Sequence, residues 1–397
     1  MSAATTMPHT PWPTVKLGDV CALKNGYTPK AEELSEQGVI PYFRISAMNF
    51  EGNEKRMIKP TAWLVSKKRC FNAGSIVFPK NGGAVYTRKV RVLEHDSVVD
   101  LNTGVCTPDK KTIDCEYLYH WFSNLNITDV VVEGTIPFVD FGMLREVSIP
   151  LPPLDVQREI VAKVEAGLKE ADALVAYFKR LAALADDTFK AELDETFSTL
   201  KDTQKVQLGD LGQMTRGRGI KKSDVISDGK PCIRYGEIYT SFNFILDAPR
   251  SFVSDEIYEN SVRIKTGDLV FTLTGENREE IAKTLAYLGE DEIAAGGDLA
   301  VWSNHGCNPK YLAYLMYSSP LIHEKAMASN GQIIVHASVK KLQSISIPLP
   351  SLDIQREIVG KLEAVKARCE QLKGWAERGL KAAEALRKAV LAEAFES

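Results

Sequence analysis

The sequence has no long uncharged apolar run, no cysteine cluster and no excess of charge of one sign. Its 397 residues contain nothing approaching the ~18 uncharged apolar residues of a membrane-spanning helix, and no basic segment followed by an apolar run opens the chain. We therefore expect neither a transmembrane helix nor a signal peptide. Seven dispersed cysteines without a C-x-x-C pair favour reduced thiols and a cytoplasmic location.

The sequence signatures of catalysis are also missing. The chain contains no G-x-x-x-x-G-K-[ST] phosphate-binding loop, no [ND]-P-P-Y tetrapeptide of amino-methyl transfer, no H-E-x-x-H and no G-x-S-x-G. Its six histidines lack the spacing of metal ligands. We predict a non-catalytic chain without a metal site. The net charge of −3 does not by itself indicate a nucleic-acid partner.

What the sequence does contain is an internal repeat. Residues 148–166 read SIPLPPLDVQREIVAKVEA and residues 346–364 read SIPLPSLDIQREIVGKLEA, which agree at fifteen of nineteen positions. Weaker matches at nearly the same offset precede each copy, among them Gly74-Ser-Ile-Val-Phe with Gly267-Asp-Leu-Val-Phe. The chain is therefore two copies of one unit. Each copy is a diverged globular domain (1–147 and 201–345) followed by a nearly constant element (148–200 and 346–397).

The constant elements have the pattern of long helices. Asp155 and Asp353 stand at natural N-cap positions after a proline-stiffened segment, and apolar residues then recur every three or four positions over 155–197 and 353–394. A helix of ~40 residues is about 60 Å long, and so long a narrow apolar stripe needs a partner helix. We predict that the two helices form an antiparallel, pseudo-two-fold coiled coil that separates the domains. The alternative is that they are core helices of one large domain.

The diverged domains have the pattern of short buried strands. Apolar runs at 76–78, 130–132, 269–273 and 333–335 alternate with Gly, Pro and Asn, and brief helices are expected at 116–125 and 309–318. These features predict an α+β fold with two similar mixed α/β domains.

Loops in both domains combine basic, amide and aromatic side chains. Arg and Lys can contact guanine edges or phosphates, and Asn or Gln can contact adenine. For any one residue taken alone a solvated surface loop is the favoured interpretation, and the case for DNA contact rests on the set, because equivalent positions of both copies lead into different polar loops. The residues are Lys24, Asn25, Tyr27, Arg44, Lys80, Asn81, Tyr86, Arg88 and Lys89 in the first domain, and Arg216, Arg218, Lys221, Lys222, Arg234, Tyr235, Thr274, Asn277 and Arg278 in the second.

Two variable domains alternating with two near-identical helices, each opened by I-P-L-P-x-L-D-x-Q-R-E-I, resemble the specificity subunit of type I restriction–modification systems. The resemblance covers essentially the whole chain. It implies that each domain is a target recognition domain that reads one half of a split sequence in double-stranded DNA. It also adds Thr135 and Gln332, in the glycine-containing turns before each helix, to the candidate DNA contacts.

The resemblance also implies partners. The helices would dock two methyltransferase subunits, which carry S-adenosylmethionine and methylate adenine, and restriction/translocase subunits would join through them. No cofactor is expected in this chain, and no membrane. A docking surface presented twice is one interpretation of Gln157, Arg158 and Glu159 and of their counterparts in the second copy; a solvated first helical turn is the other. The second set is Gln355, Arg356 and Glu357.

Three other functions remain open at this stage. The chain fits a specificity subunit of a related modification-only or phage-defence system equally well. A coiled-coil adaptor that does not bind DNA would have the same helices, and a fused methyltransferase or nuclease would require motifs not recognised in the sequence. The DNA target and its spacer length cannot be derived from these residues.

Overall fold

The computed structural model describes residues 12–66, 70–331 and 335–395. The chain divides into two compact units, one formed by Met1–Phe178 with Arg378–Ser397 and the other by Lys179–Glu377. Each unit contains one globular domain and part of two long helices. Within the described ranges, no helix is both long enough and apolar enough to cross a bilayer.

The first domain consists of short strands and helices of ten residues or fewer, followed by a long helix. The strands are β1 (Thr14–Lys16), β2 (Cys21–Asn25), β3 (Leu34–Ser35), β4 (Ile40–Phe43), β5 (Arg56–Met57), β6 (Ala62–Leu64), β7 (Ile76–Pro79), β8 (Arg91–Leu93), β9 (Val98–Val99), β10 (Thr103–Pro108), β11 (Val131–Val132), β12 (Phe138–Val139) and β13 (Ser148–Pro150). The helices are α1 (Leu17–Val20), α2 (Cys115–Asn124), α3 (Phe141–Glu146) and the long α4 (Leu154–Ser198).

A five-stranded sheet in the order β2-β10-β7-β8-β5 forms the centre of the first domain. Its pairs are antiparallel except β5 with β8, and a four-stranded sheet, β3-β6-β4-β9, also ends in a parallel pair. β7 is buried along its whole length, as its apolar run requires when both faces of a strand are covered. Helix α2 packs on this sheet through Phe122, whose ring centroid is 4.8 Å from that of Phe78.

The second domain has the same kind of elements, followed by the second long helix. The strands are β14 (Lys205–Gln207), β15 (Gln213–Arg216), β16 (Lys230–Ile233), β17 (Phe244–Leu246), β18 (Ser251–Val253), β19 (Val262–Ile264), β20 (Leu269–Thr272), β21 (Thr274–Gly275), β22 (Thr284–Tyr287), β23 (Ile293–Ala295), β24 (Leu299–Ser303), β25 (Ser329–Asn330), β26 (Val335–Ala337) and β27 (Ser346–Pro348). The helices are α5 (Leu208–Leu211), α6 (Tyr235–Ser241), α7 (Asp255–Glu259), α8 (Pro309–Leu315), α9 (Ser319–Met327), α10 (Val339–Gln343) and the long α11 (Leu352–Phe395).

The two largest sheets of the second domain resemble those of the first. A five-stranded sheet, β15-β24-β20-β22-β17, again ends in a parallel pair, and a four-stranded sheet, β18-β16-β23-β19, again contains one. The first strand of each domain pairs with the last one, Val15 opposite Ile149 and Val206 opposite Ile347. The weak sequence matches between the two halves therefore reflect one framework built twice.

Most of the expected short elements are present. The run at 76–78 lies in β7, the run at 269–273 corresponds to β20, and the helices expected at 116–125 and 309–318 are α2 and α8. The run at 130–132 is shorter than expected, since Val130 ends a 3-10 turn before β11. Of the run at 333–335, only Val335 is within the described residues, and it begins β26.

The two long helices are continuous and begin before the aspartates that were expected to cap them. α4 starts at Leu154 and α11 at Leu352, so Asp155 and Asp353 lie in the first turn, near the positive end of the helix dipole, and do not cap it. The expected apolar stripe lies inward at most of its positions. Ile354 and Leu386 depart from it, with 44% and 42% of their surface exposed.

Within each unit the two long helices pack together and run antiparallel. In the first unit, Arg387 Nε donates to Asp172 Oδ1 at 3.0 Å, and a Cβ built on Gly167 would lie 3.0 Å from Val390. In the second unit, Lys361 Nζ lies 2.7 Å from Glu192 Oε1. In the first unit, residues earlier in α4 contact residues later in α11, as antiparallel packing requires. Mixed α/β domains with a pair of long packed helices confirm the expected fold class.

Candidate nucleic-acid interface

The candidate loops of the first domain lie together at one edge of the central sheet. β10 lies between β2 and β7 and runs antiparallel to both. Near its start, Gly104 lies opposite Asn25 of β2 on one side and opposite Phe78 of β7 on the other, so both neighbouring strands end at this edge. The loops that follow are fixed to this edge by backbone hydrogen bonds, from Gly26 N to Thr103 O at 3.0 Å and from Lys80 N to Asn102 O at 2.8 Å. Lys24, Asn25, Tyr27, Lys80 and Asn81 therefore lie near one another.

Arg44 lies at the same edge, next to the turn that contains Asp100. The Asp100 backbone N–H donates to Phe43 O at 3.0 Å, and its carboxylate accepts from Ile45 N at 3.0 Å and from the Thr103 hydroxyl at 2.7 Å. Arg44 is exposed beside this turn. Asp100 was not recognised in the sequence, since a lone aspartate in a turn carries no distinguishing pattern.

The turn containing Thr135 completes the edge. It connects β11 to β12, and this hairpin is held against the loop after β7, with Val139 N donating to Lys80 O at 2.9 Å and Gly82 N to Pro137 O at 2.8 Å. Thr135 is exposed at the tip.

The remaining candidates of the first domain are engaged in contacts within the domain. The Tyr86 hydroxyl donates to Glu133 at 2.6 Å, and that carboxylate raises the pKa of Tyr86. Arg88, at a φ of 51°, donates to the Asn126 side chain at 2.7 Å, and Lys89 donates to that of Asn49. Tyr86 adjoins the β11–β12 hairpin through Glu133, whereas these contacts hold Arg88 and Lys89 elsewhere.

The second domain repeats this frame with other side chains. Ala300 of β24 lies opposite Arg216 and opposite Phe271, so that β15 and β20 end at one edge. Gly217 N donates to Leu299 O at 2.8 Å and Leu273 N to Asp298 O at 2.7 Å, as Gly26 and Lys80 do in the first domain.

Gly26 and Gly217 are required by the protein's own backbone. A Cβ on Gly26 would lie 2.1 Å from Asp100 O, and one on Gly217 would lie 2.1 Å from Gly296 O. At these two positions the close neighbour is the turn at the start of the facing strand.

The basic candidates of the second domain differ in how firmly they are held. Arg216 Nε donates to Gly297 O at 3.1 Å and Arg218 Nη1 to Asn260 O at 3.2 Å, and both side chains are exposed. Arg234 is half-buried, with Nη2 at 3.5 Å from Glu237 Oε1. Lys221, Lys222 and Tyr235 are exposed.

The loop 273–282 carries the last candidates. Thr274 Oγ1 lies 3.3 Å from His336 Nδ1, Asn277 Oδ1 accepts from Glu280 N at 2.8 Å, and Arg278 Nη2 donates to Gly331 O at 3.3 Å. Asn277 and Arg278 are exposed. Gln332, the remaining candidate, lies outside the described residues.

The family model described as "Type I restriction modification DNA specificity domain" matches residues 9–174 and 200–377. The chain belongs to this family. Its curated relatives include the type I restriction enzyme MjaVIII specificity subunit of Methanocaldococcus jannaschii, 22% identical over 391 residues that cover 89% of this chain and 86% of the relative. Another is the EcoBI specificity subunit of Escherichia coli, 22% identical over 444 residues that cover 98% and 86%. The protein is a type I restriction–modification specificity subunit.

Solved structures share the fold of this specificity subunit. The HsdS subunit from Thermoanaerobacter tengcongensis matches with a TM-score of 0.59 and 20% identity over the whole of both chains. A chain from a structure entitled "Structural basis underlying complex assembly and conformational transition of the type I R-M system" matches with a TM-score of 0.77 and 21% identity over 98% of both chains.

Two of the six candidate docking residues of the specificity subunit are not on its surface. Gln157 is fully buried, and its side chain accepts from Asp114 N at 2.8 Å and donates to Thr112 O at 3.1 Å and to Pro152 O at 2.8 Å. Gln355 is buried in the same way, accepting from Asn308 N at 2.8 Å and donating to Pro350 O at 2.9 Å. These glutamines join each long helix to its own domain, so they cannot form part of a docking surface.

The neighbours of these glutamines are exposed. Arg158 Nε lies 3.9 Å from Asp114 Oδ2, and Arg356 Nη1 donates to Asp353 at 2.7 Å. Glu159 and Glu357 are also exposed. Their position at the start of each helix is compatible with docking and equally with a solvated first turn.

A second contact is repeated in the two domains, and it was not predicted from the sequence. The Tyr117 hydroxyl donates to Pro150 O and the Tyr311 hydroxyl to Pro348 O, each at 2.8 Å, and burial raises the pKa of both tyrosines. The two tyrosines occupy matching positions in the two halves of the sequence. This contact ties α2 and α8 to the strand before each long helix.

Glu116, His120 and Glu165 place possible metal-ligand atoms within 4.8 Å of one another. Lys55 already supplies a cation to this cluster, with Nζ at 2.9 Å from Glu116 Oε2 and 2.7 Å from Glu165 Oε1. Burial lowers the pKa of His120. We interpret the cluster as an ion-pair network between the first domain and α4.

Proposed function

We propose that the two domains of this specificity subunit each read one half of a bipartite, gapped target in double-stranded DNA. The support is the edge of the central sheet in each domain, where exposed and half-buried basic, amide and aromatic side chains lie on loops held by backbone hydrogen bonds. Such side chains supply both phosphate contacts and base-edge hydrogen bonds.

One observation carries the proposal: the two frames match while their side chains differ. At the end of the first strand of this edge, Asn25 and Tyr27 in one domain correspond to Arg216 and Arg218 in the other, around the matched pair Gly26 and Gly217. An amide and a phenol select different base edges from those selected by two guanidinium groups. Two unlike half-sites follow from this difference.

The long helices would set the distance between the half-sites and dock two methyltransferase subunits. The pairing of α4 with α11 in each unit supports a stiff element, and the repeated starts of the helices offer one partner surface twice. Exposed Arg158, Glu159, Arg356 and Glu357 are the remaining candidates for that surface. The methyltransferase subunits would bind S-adenosylmethionine and carry out adenine methylation, and restriction/translocase subunits would join through them.

Tight DNA binding is expected to need these partners. Affinity for DNA draws on many phosphate contacts, whereas the net charge of this chain is −3. If the isolated chain bound target DNA as tightly as the complex at the same salt concentration, this part of the proposal would be wrong.

Exchange of one domain tests the proposal directly. Residues 1–147 are replaced by the corresponding domain of another specificity subunit, and methylated adenines are mapped in DNA treated with the chimaeric complex. We expect one half-site to change while the other half-site and the gap remain. The reciprocal exchange of residues 201–345 is the matched control and should change only the other half-site. Loss of both half-sites by a folded chimaera would contradict the proposal.

A further inference from the structure

The loop 273–282, which includes the short strand β21, is exposed at residues 276–280, buried at both ends, and has unusual backbone geometry at its last residue. It carries the candidate DNA contacts Thr274, Asn277 and Arg278, and it ends at Ala282, a buried residue with a φ of 54°. A left-handed conformation at a residue other than glycine is unfavourable and persists only where surrounding contacts impose it. Two side chains from outside the loop contact it: Tyr239 at Thr274 and Glu280, and Lys325 at the carbonyl of Ala282 itself.

The first of these side chains is Tyr239 in α6. Its hydroxyl lies 3.0 Å from Thr272 Oγ1, 3.2 Å from Thr274 O and 3.1 Å from Glu280 O. A single hydroxyl thus contacts the strand before the loop and both sides of the loop itself. A Cβ on Gly275 would lie 2.8 Å from the same hydroxyl, so the loop closes tightly around Tyr239.

The second side chain is Lys325 in α9. It is 3% exposed, and its Nζ donates to Ala282 O at 3.1 Å. The Thr284 hydroxyl donates to the same carbonyl at 2.9 Å. An ammonium group is costly to bury, so its placement against the carbonyl of the left-handed residue points to a specific use.

Helix α9 also connects this contact to the long helix. The Asp194 carboxylate of α4 accepts from Ser319 N and from the Ser319 hydroxyl, each at 2.6 Å. Lys325 lies six residues further along α9, or about 9 Å at the helical rise. α9 therefore spans from α4 at one end to the loop 273–282 at the other, within one compact unit.

We propose that Tyr239 and Lys325 are positioning residues that preset the loop 273–282 for reading the second half-site, with α9 as the strut that fixes the loop relative to the long helix. Neither side chain is needed as a DNA contact. The inference rests on the proposed function, because it assumes that Asn277 and Arg278 face DNA.

The test uses the complete complex of this chain with its methyltransferase subunits. Tyr239→Phe and Lys325→Met each remove one polar group and keep the side-chain volume nearly unchanged. We expect discrimination between correct and altered bases in the second half-site to fall roughly three- to tenfold, as the loss of one or two positioning hydrogen bonds allows. Discrimination in the first half-site should stay unchanged. Tyr287→Phe is the matched control, since it removes a hydroxyl that donates to Asp291 O at 2.5 Å in the same domain.

The other possible results separate this inference from the proposed function. Unchanged discrimination in both positioning variants, together with altered discrimination in Asn277→Ala or Arg278→Ala, would overturn the inference and leave the function standing. Equal losses in both half-sites, or the same loss in Tyr287→Phe, would also overturn it, because a general structural effect would then explain the change. A wild-type complex that does not discriminate between DNA sequences would overturn the function itself.

Discussion

Gln157 and Gln355 show what an identical residue in two repeats can mean. Their positions in the first turn of a helix made them candidates for a docking surface. Each instead accepts from a backbone N–H of its domain and donates to backbone carbonyls, two for Gln157 and one for Gln355. The sequence could not distinguish these uses, because whether a residue in a first helical turn is buried depends on what packs over it.

Replacement of Gln157 should therefore destabilise the protein. Gln157→Ala leaves the half-buried N–H of Asp114 without its acceptor and empties a fully buried side-chain site, and we expect the free energy of unfolding to fall by about 1–3 kcal/mol. Chemical denaturation measures the change. Arg158→Ala, one residue along the exposed side of the same turn, is the control and should change it by no more than about 0.5 kcal/mol. Equal effects would contradict the structural role of Gln157.

Lys325 makes stability depend on pH in a defined direction. Burial lowers its pKa to about 7. Between this pKa and the normal value of about 10.4, the unfolded chain binds more protons at this residue than the folded chain does, so the free energy of unfolding rises with pH. Lys325→Met should lack this increase. Denaturation of both proteins at pH 7 and pH 9 measures the difference, and equal increases in the two proteins would show that Lys325 does not titrate in this way.

At the scale of elements, the repeat made much of the fold predictable. Long periodic stripes gave both helices, and short apolar runs gave β7 and β20, since burial on both faces leaves a clear pattern. The sheet order and the grouping of loops at one edge could not be derived, because they depend on strand pairs far apart in sequence. The contacts of Tyr239 and Lys325 with the loop 273–282 could not be predicted from the sequence, because one hydroxyl and one amine at unrelated positions form no motif.

The two domains are joined to equivalent glutamates of the long helices by lysines that lie at different positions in each domain. Glu165 of α4 pairs with Lys55, and the corresponding Glu363 of α11 pairs with Lys310. Lys55 directly precedes β5, which forms the parallel pair with β8 in the first domain. The equivalent residue of the second domain is Phe244, the first residue of β17, which pairs in parallel with β22. The ring centroid of Phe244 lies 4.3 Å from that of Tyr317. The helix residue that makes the contact is thus the same in both repeats, whereas the surface that it contacts differs between the two domains.

The turn after β2 gives a prediction for an element. Gly26→Ala would place a methyl group against Asp100 O, and overpacking of this kind costs about 1–3 kcal/mol. We expect a lower melting temperature and weaker reading of the first half-site, with the second half-site unaffected. Gly83→Ala is the matched control, because a Cβ there has no neighbour within 4 Å in the described structure. A loss confined to the second half-site would contradict the placement of this turn.

At the scale of the whole molecule, the duplicated unit supports the proposed function. On that proposal, duplication followed by divergence would give two readers built on one framework. A symmetric protein with identical domains would read a palindrome, whereas two unlike loop sets would select unlike half-sites. The chain would then contribute recognition, and its partners would contribute the chemistry.

The most direct measurement is a map of the adenines methylated by the purified complex of this chain with its methyltransferase subunits. The account predicts methylation at a single asymmetric target made of two unlike half-sites separated by a gap of fixed length. A continuous target, a palindromic target, or a gap that varies from site to site would contradict it.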